Sequence, residues 1–406
     1  MALTIRKWAL PCAAILAVGV LVAPVWSQEK AEQPAAAAKA ATDGKPIDLV
    51  LCLDVSGSMN GLIDSAKIRL WDIVNELARL KPTPKLRVAL YSYGAPSYPA
   101  DKGWVRKEID LTEDLDDVYK SLNALRIGGG TELVARVTRT ALDEQKWSAE
   151  KDALKLIFVA GNEPADQDKQ VTLESVAAQA KKAGVIVNTI YCGARSDGDV
   201  LKWCHFAEDA GGKFMNIDMN RAATQVVVKT EFDEKIIQLG AELNKTYVAY
   251  GRDGKDKAAN QVAQDANAAR AGGFAKGGKG VAAPAAAIAR AESKAGALYR
   301  NSTWDLVDRM KEKDFDITKI KEEELCEDLK KLKPEERLDY LKKKAEERAR
   351  IQKEINDLSA KRQKKVAEEL AKKPRTDAEK ALDEAVKELI HDQAKVKGFG
   401  LPGEKK

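Results

Sequence analysis

Asp54-Val55-Ser56-Gly57-Ser58 places one carboxylate and two hydroxyls within five residues. These are hard oxygen donors that together carry a single formal charge. They suit Mg2+, which takes near-octahedral oxygen ligation and keeps several waters, and they also admit Mn2+ or Ca2+. Two later polar loops, Gly128-Gly129-Gly130-Thr131-Glu132 and Gly161-Asn162-Glu163-Pro164, add a hydroxyl and an amide oxygen. Taken singly, Ser58 or Asn60 reads as a helix cap and the glycine run as a tight turn. Capping accounts for one residue and leaves the other polar groups of the pentapeptide unexplained. Imidazole chemistry has little to work with, because His205 and His391 are the only histidines. Ser-His-Asp, Cys-His and His-rich zinc sites all require that ring. His205, in Trp203-Cys204-His205-Phe206, has no partner at ligand spacing. Neither glycine run is followed by the Lys-Ser or Lys-Thr of a phosphate loop.

The elements that must position these groups follow from the apolar pattern. Ile47 to Leu53 is nearly continuous apolar, as a strand covered on both faces should be, and it delivers Asp54 at its carboxyl end. In open parallel sheets ligands collect at that edge. Leu62, Ile63, Ala66, Leu70, Ile73, Val74 and Leu77 recur at helical spacing, and Pro82 and Pro84 end that helix. Strands are predicted at Leu86 to Tyr93, Trp104 to Ile109, Leu154 to Ala160, Val185 to Tyr191 and Lys213 to Ile217. Helices fall between them, at about Leu115 to Leu125, Glu132 to Lys146, through Val176 and Ala180, and in a last helix reaching Leu243. This alternation predicts a Rossmann-like, doubly wound α/β domain with a mainly parallel sheet over residues 47–251.

With that order of elements, Asp54, Ser56, Ser58 and Thr131 resemble the metal-ion-dependent adhesion site of von Willebrand factor type A (VWA) domains. The resemblance implies the fold of integrin inserted domains and many bacterial surface proteins, in which Mg2+ is completed by a carboxylate from a bound protein. The sequence is most similar to uncharacterised secreted bacterial members. Leu62-Ile63, Leu86-Arg87-Val88, the run from Asn188 to Gly193 and the run from Leu243 to Gly251 carry that closer likeness, which extends weakly through Trp304-Asp305-Leu306-Val307-Asp308. One position departs from the family pattern. The loop after the fourth strand usually supplies an Asp, and here the matching residue is Asn162. An amide oxygen can still coordinate or hold a metal-bound water, yet the site loses a negative charge. The expectation is weak Mg2+ binding by Asp54, Ser56, Ser58, Thr131 and Asn162, strengthened when a protein ligand contributes Asp or Glu. Glu163 is an additional ligand if its side chain turns inward. The resemblance implies a non-enzymatic binding protein. The enzymatic alternative is a phosphatase resembling the haloacid dehalogenases, with Asp54 as nucleophile. Such enzymes carry a second Asp two residues on, where this chain has Ser56, which lacks a pKa suited to acid–base work.

The remaining segments set the context. Arg6 and Lys7 precede an apolar run from Trp8 to about Ala23, followed by Val25-Trp26-Ser27. This pattern predicts a signal peptide over residues 1–27 and an exported, periplasmic or extracellular chain. The alternative is an uncleaved membrane anchor, since the stretch approaches the ~20 residues of a span. Cys12 stands too early for a lipoprotein cysteine. Export permits disulfides among Cys52, Cys192, Cys204 and Cys326, with Cys192 and Cys204 the candidate pair and Cys52 a core residue. Residues 28–46 read as an Ala-rich linker, and 252–298, rich in Ala, Gly and Lys, as a flexible linker with at most a transient helix. A charged helical region over 299–373 and a C-terminal helix and tail over 374–406 complete the chain. Leu338, Leu341, Ala345, Ile355, Leu358 and Val366 form a seam interrupted by Gln352 and Arg362. That seam suits solvated helices better than a sustained coiled coil. Self-association through these helices would make the protein a structural component of the envelope with a degenerate metal site, the second non-enzymatic alternative. The 68 basic and 63 acidic residues nearly balance, which offers no electrostatic case for nucleic acid. No segment after the N-terminal one is apolar enough to span a membrane.

Overall fold

The continuous apolar run of the first strand settles at the centre of a six-stranded sheet. The computed structural model describes residues 44–59, 71, 73–216, 228–270, 283–372 and 377–401. Strands β1 (Pro46–Asp54), β2 (Lys85–Tyr93), β3 (Val105–Thr112), β4 (Leu154–Gly161), β5 (Ile186–Tyr191) and β6 (Phe214–Asn216) line up in the order β3-β2-β1-β4-β5-β6. All neighbours pair in parallel except the edge pair β2 and β3, which is antiparallel. The order reverses direction between β1 and β4, so the carboxyl ends of those strands flank the crevice where such sheets bind ligands. The signal segment, Cys12, the expected linker as far as residue 43, and residues 60–70, where the sequence predicts the start of a helix, lie outside the described residues, as do Ala271–Gly280 and Ile217.

Alternate residues of β1 enter opposite cores. Leu49, Leu51 and Leu53 pack with Val74, Leu77, Val118 and Leu122 on one face. Val50 and Cys52 pack with Val137, Val176, Trp203 and Phe206 on the other. The second face is covered by α2 (Val134–Glu144), α3 (Leu173–Ala183) and α4 (Val200–Asp209), and α1 (Leu115–Ala124) lies on the first. Cys52, Cys192, Cys204 and Cys326 are all free thiols, so the candidate pair Cys192 and Cys204 is not joined.

The region beyond Gly251 differs from expectation. The expected flexible linker contains α6 (Gly254–Arg270) and α7 (Ala283–Ala295), which follow α5 (Asp233–Leu243). Ala268 and Ala289 are buried in the first core, together with Tyr299 and with Leu389, Ile390, Ala394 and Phe399 at the C-terminus. The described residues therefore belong to one compact unit, with no detached helical tail. Small alanine faces explain the difference, because they let these helices pack closely against one another and against α1 while looking like linker composition. The two single-turn helices α8 (Leu306–Arg309) and α9 (Glu327–Lys330) lead to α10 (Pro334–Ala371), and α11 (Asp377–Val396) closes the chain. Leu341 and Ile355 of the expected seam are wholly buried, against Val248, Leu306 and Leu329 and against Ile236, Leu239 and Ile288 respectively. That part of the seam is spent inside the chain.

Buried ions hold this extension in place. The Arg348 guanidinium, 2% exposed, donates to Asp305 Oδ2 at 2.7 Å, Asp308 Oδ1 at 3.1 Å and the Thr246 carbonyl at 2.8 Å, and stacks 3.9 Å from the Tyr247 ring centroid. Removing one partner of a buried pair strands the other charge, which costs about 3–5 kcal/mol. Arg348→Ala should therefore lower the denaturant midpoint of the full chain markedly. Lys353→Ala, which removes an exposed pair with Asp357, should leave it nearly unchanged. Equal midpoints for the two variants would show that Arg348 does not anchor the extension.

Candidate metal centre

Asp54 ends β1 with no exposure to solvent. Its Oδ1 accepts the Ser56 backbone N–H at 2.7 Å, while Oδ2 is buried and has no hydrogen-bond partner among the described residues. The Ser56 and Ser58 hydroxyls are 3.0 Å apart, and the Ser58 hydroxyl donates to Asn162 Oδ1 at 3.0 Å. Asn162 arrives from the end of the neighbouring strand β4, and its loop is held where the Trp203 indole N–H donates to the Glu163 carbonyl at 3.0 Å. The third loop is tied to the same edge. Gly128 donates its N–H to the Val55 carbonyl at 2.9 Å. Gly130 sits so close to the backbone of Gly94 that a Cβ would lie 2.1 Å from the Gly94 oxygen. The structure thus joins Asp54, Ser56, Ser58 and Asn162 in one hydrogen-bonded set. Thr131 is half-buried in the adjoining loop, and no hydrogen bond links it to that set among the described residues.

Electrostatics at this edge are one-sided. Burial pushes the Asp54 carboxyl up to about 7 despite the hydrogen bonds from Ser56, and the charges of Glu132 and Glu163 add to the rise. Glu132 is itself raised, first by burial and then by Glu163, against a hydrogen bond from Ser56. Glu132 was not among the residues singled out from sequence. Its signal is its place directly after Thr131 in the glycine loop. Among the described residues no three His, Cys, Asp or Glu side chains gather closely enough to hold a metal by themselves. An ion here would have to use the hydroxyl and amide oxygens as well. A buried carboxylate with one orphaned oxygen, tied through its other oxygen to the Ser56, Ser58 and Asn162 set, fits a hard divalent cation. His205 is exposed on α4, and His391 bonds Glu76 at 2.6 Å, so neither enters the site.

A doubly wound sheet with hard oxygen donors gathered at its switch point defines an α/β module with its polar site at one edge. The family model of the von Willebrand factor type A domain matches residues 48–228, and the chain carries a domain of that family. Domains of this family commonly hold a divalent ion and are typically non-enzymatic interaction modules. Among solved structures, proximal thread matrix protein 1 from the mussel byssus, with a zinc-occupied MIDAS motif, is 15% identical with a TM-score of 0.34. That match covers 44% of this chain and 43% of the mussel protein, so this chain spans less than half of its length. The SpRpn10 VWA domain is 19% identical (TM-score 0.33; 43% of this chain and 87% of that one). The pilus adhesin SpaC from Lactobacillus rhamnosus GG is 14% identical (TM-score 0.32; 43% and 28%). No curated protein sequence matches the chain. No helix among the described residues is long and apolar enough to cross a membrane.

The raised Asp54 pKa sets a pH dependence for the metal-free chain. Below about pH 4 folded and unfolded states both hold the proton. Between there and about 7 the folded state retains a proton that the unfolded state releases, so stability falls as pH rises through this window. Above about 7 the full cost of the buried charge is present. With chelator present, Asp54→Asn should therefore melt higher than the parent at pH 8 and equally at pH 4. A lower melting temperature for the variant at pH 8 would contradict the burial of an uncompensated charge.

Proposed function

We propose that this protein is an exported, non-enzymatic binding protein that captures a protein ligand through a divalent cation. Mg2+ is the ion the donor set suits best. The observation that carries this reading is the buried Asp54 carboxylate, whose Oδ2 has no hydrogen-bond partner among the described residues and whose Oδ1 is bonded to Ser56, the first of the mutually bonded Ser56, Ser58 and Asn162. Asp54, Ser56, Ser58 and Asn162 would hold the ion, with Thr131 in the adjoining loop. When bound, the ion supplies the positive charge to which a partner's Asp or Glu adds. Asp54 acts as the anchoring carboxylate. Its Oδ1 is fixed by the Ser56 N–H, which leaves Oδ2 for the cation. The Ser58 hydroxyl orients the Asn162 oxygen, so both loops present oxygens to the same crevice.

A phosphatase role draws no support from this arrangement. The position two residues after Asp54, where such enzymes carry their second Asp, is a serine hydrogen-bonded to Ser58. Titrating Mg2+ into the full chain by calorimetry should show one binding event that Asp54→Ala abolishes. Adding a short Glu-containing peptide should tighten ion binding, and the ion should tighten peptide binding by the same factor. Unchanged ion binding in Asp54→Ala would overturn the site.

A further inference from the structure

The charge that Asn162 withholds has a source on the third loop. Glu132 is 9% exposed and lies against the same crevice as Asp54. A Cβ placed on Gly94 would stand 3.0 Å from Asp54 Oδ1, 3.0 Å from Glu132 Cγ and 3.7 Å from Ser56 Cβ. The three side chains therefore converge on the space that this glycine leaves open, and Gly94 has a φ of +88°, which any other residue would adopt with strain. The basic side chains on the neighbouring helices are engaged elsewhere, Arg136 with Asp168 and Lys202 with Asp166 and Asp199. Among the described residues no lysine or arginine forms an ion pair with Asp54 or Glu132. Two carboxylates brought into one buried crevice without a cation are penalised by desolvation and by mutual repulsion. A divalent ion removes both penalties, and the pair matches its charge.

We infer that Glu132 is the second carboxylate of the metal centre, acting directly or through a bound water and supplying the charge that Asn162 lacks. This inference rests on the metal-binding reading above, and it deepens that reading. With Glu132 engaged, the free chain holds its ion by two carboxylates, and the partner's carboxylate completes coordination without having to supply the missing charge.

The test is Mn2+ binding to the full chain, followed by calorimetry and by the electron paramagnetic resonance signal of free Mn2+. The variants are Asp54→Ala, Glu132→Gln and Glu132→Gln combined with Asn162→Asp, with thermal unfolding in chelator as the check on folding. Glu132→Gln should weaken Mn2+ by at least the ~10-fold that loss of even an outer partner costs. Its metal-free midpoint should hold or rise, because a repulsion has been removed. Adding Asn162→Asp should restore affinity. Loss of binding in Asp54→Ala with parental affinity in Glu132→Gln overturns this inference and leaves the metal site standing. Parental affinity in Asp54→Ala overturns both. Weakened binding that Asn162→Asp does not restore, or a lowered metal-free midpoint, makes Glu132 a packing residue and overturns the inference.

Discussion

The carboxylate of Asp54 has left water without gaining a cation from the described protein, and the upper edge of the sheet is built around that fact. Its burial is a consequence of β1 being central. A strand paired in parallel on both sides and covered on both faces has only its carboxyl end at which to present a polar group. The backbone N–H of Ser56 satisfies one carboxylate oxygen, and the other is left to whatever enters the crevice. A buried acceptor without a partner calls for an explanation, and in the proposed reading a divalent ion supplies it.

Keeping Asp54 dry requires both faces of the sheet to stay covered, and here the extension matters. On the first face the core includes Ala268, Ala289, Tyr299, Leu389 and Ile390, all from beyond the expected domain boundary. These residues are held by ion clusters that are themselves buried. Arg290 pairs with Asp116 on α1 at 2.6 Å and with Asp265 on α6 at 3.0 Å. Lys294 donates to Asp265 at 2.6 Å and to the Gly240 carbonyl at 2.7 Å. Burial draws the Lys294 ammonium down to about 8, while the same ion pairs hold Asp265 below its ordinary range. Buried charges of this kind add little net stability compared with apolar packing, but a misdocked helix would strand them, so they select one arrangement of the extension.

The contrast between the two regions shows which features a sequence displays. The strands were legible because each is a short β-rich run delivering polar residues at its end, and the bounds of β1, β2, β4 and β5 lie within a residue or two of expectation. The hydroxyl and carboxylate pattern at Asp54, Ser56 and Ser58 was legible for the same reason, being local. Glu132 was not, because it meets Asp54 and Ser56 only beside Gly94, a relation between three loops. The extension was illegible because it buries alanine and charge in place of large apolar residues. Gln352 and Arg362 looked like breaks in a seam, yet they make docking contacts, with the Lys294 carbonyl at 3.3 Å and with Asp233 at 2.9 Å. Amphipathic periodicity cannot reveal a helix whose partner contacts are polar.

The extension also reaches the helix that follows the Asp54 loop. Trp71 is wholly buried, 4.9 Å from the Tyr119 ring and 4.6 Å from the Arg290 guanidinium. Asn75 donates to the Ala289 carbonyl at 3.0 Å, and Glu76 bonds His391. The helical residues 73–78 are thus gripped from α7 and α11 at the end away from the Asp54 loop. A tether that merely displayed a binding domain would have no reason to contact this helix or to complete its core. Because it does both, the extension belongs to the same folding unit as the site. The residues that close the first face of the sheet are in that sense part of what keeps the Asp54 carboxylate buried and available to a cation.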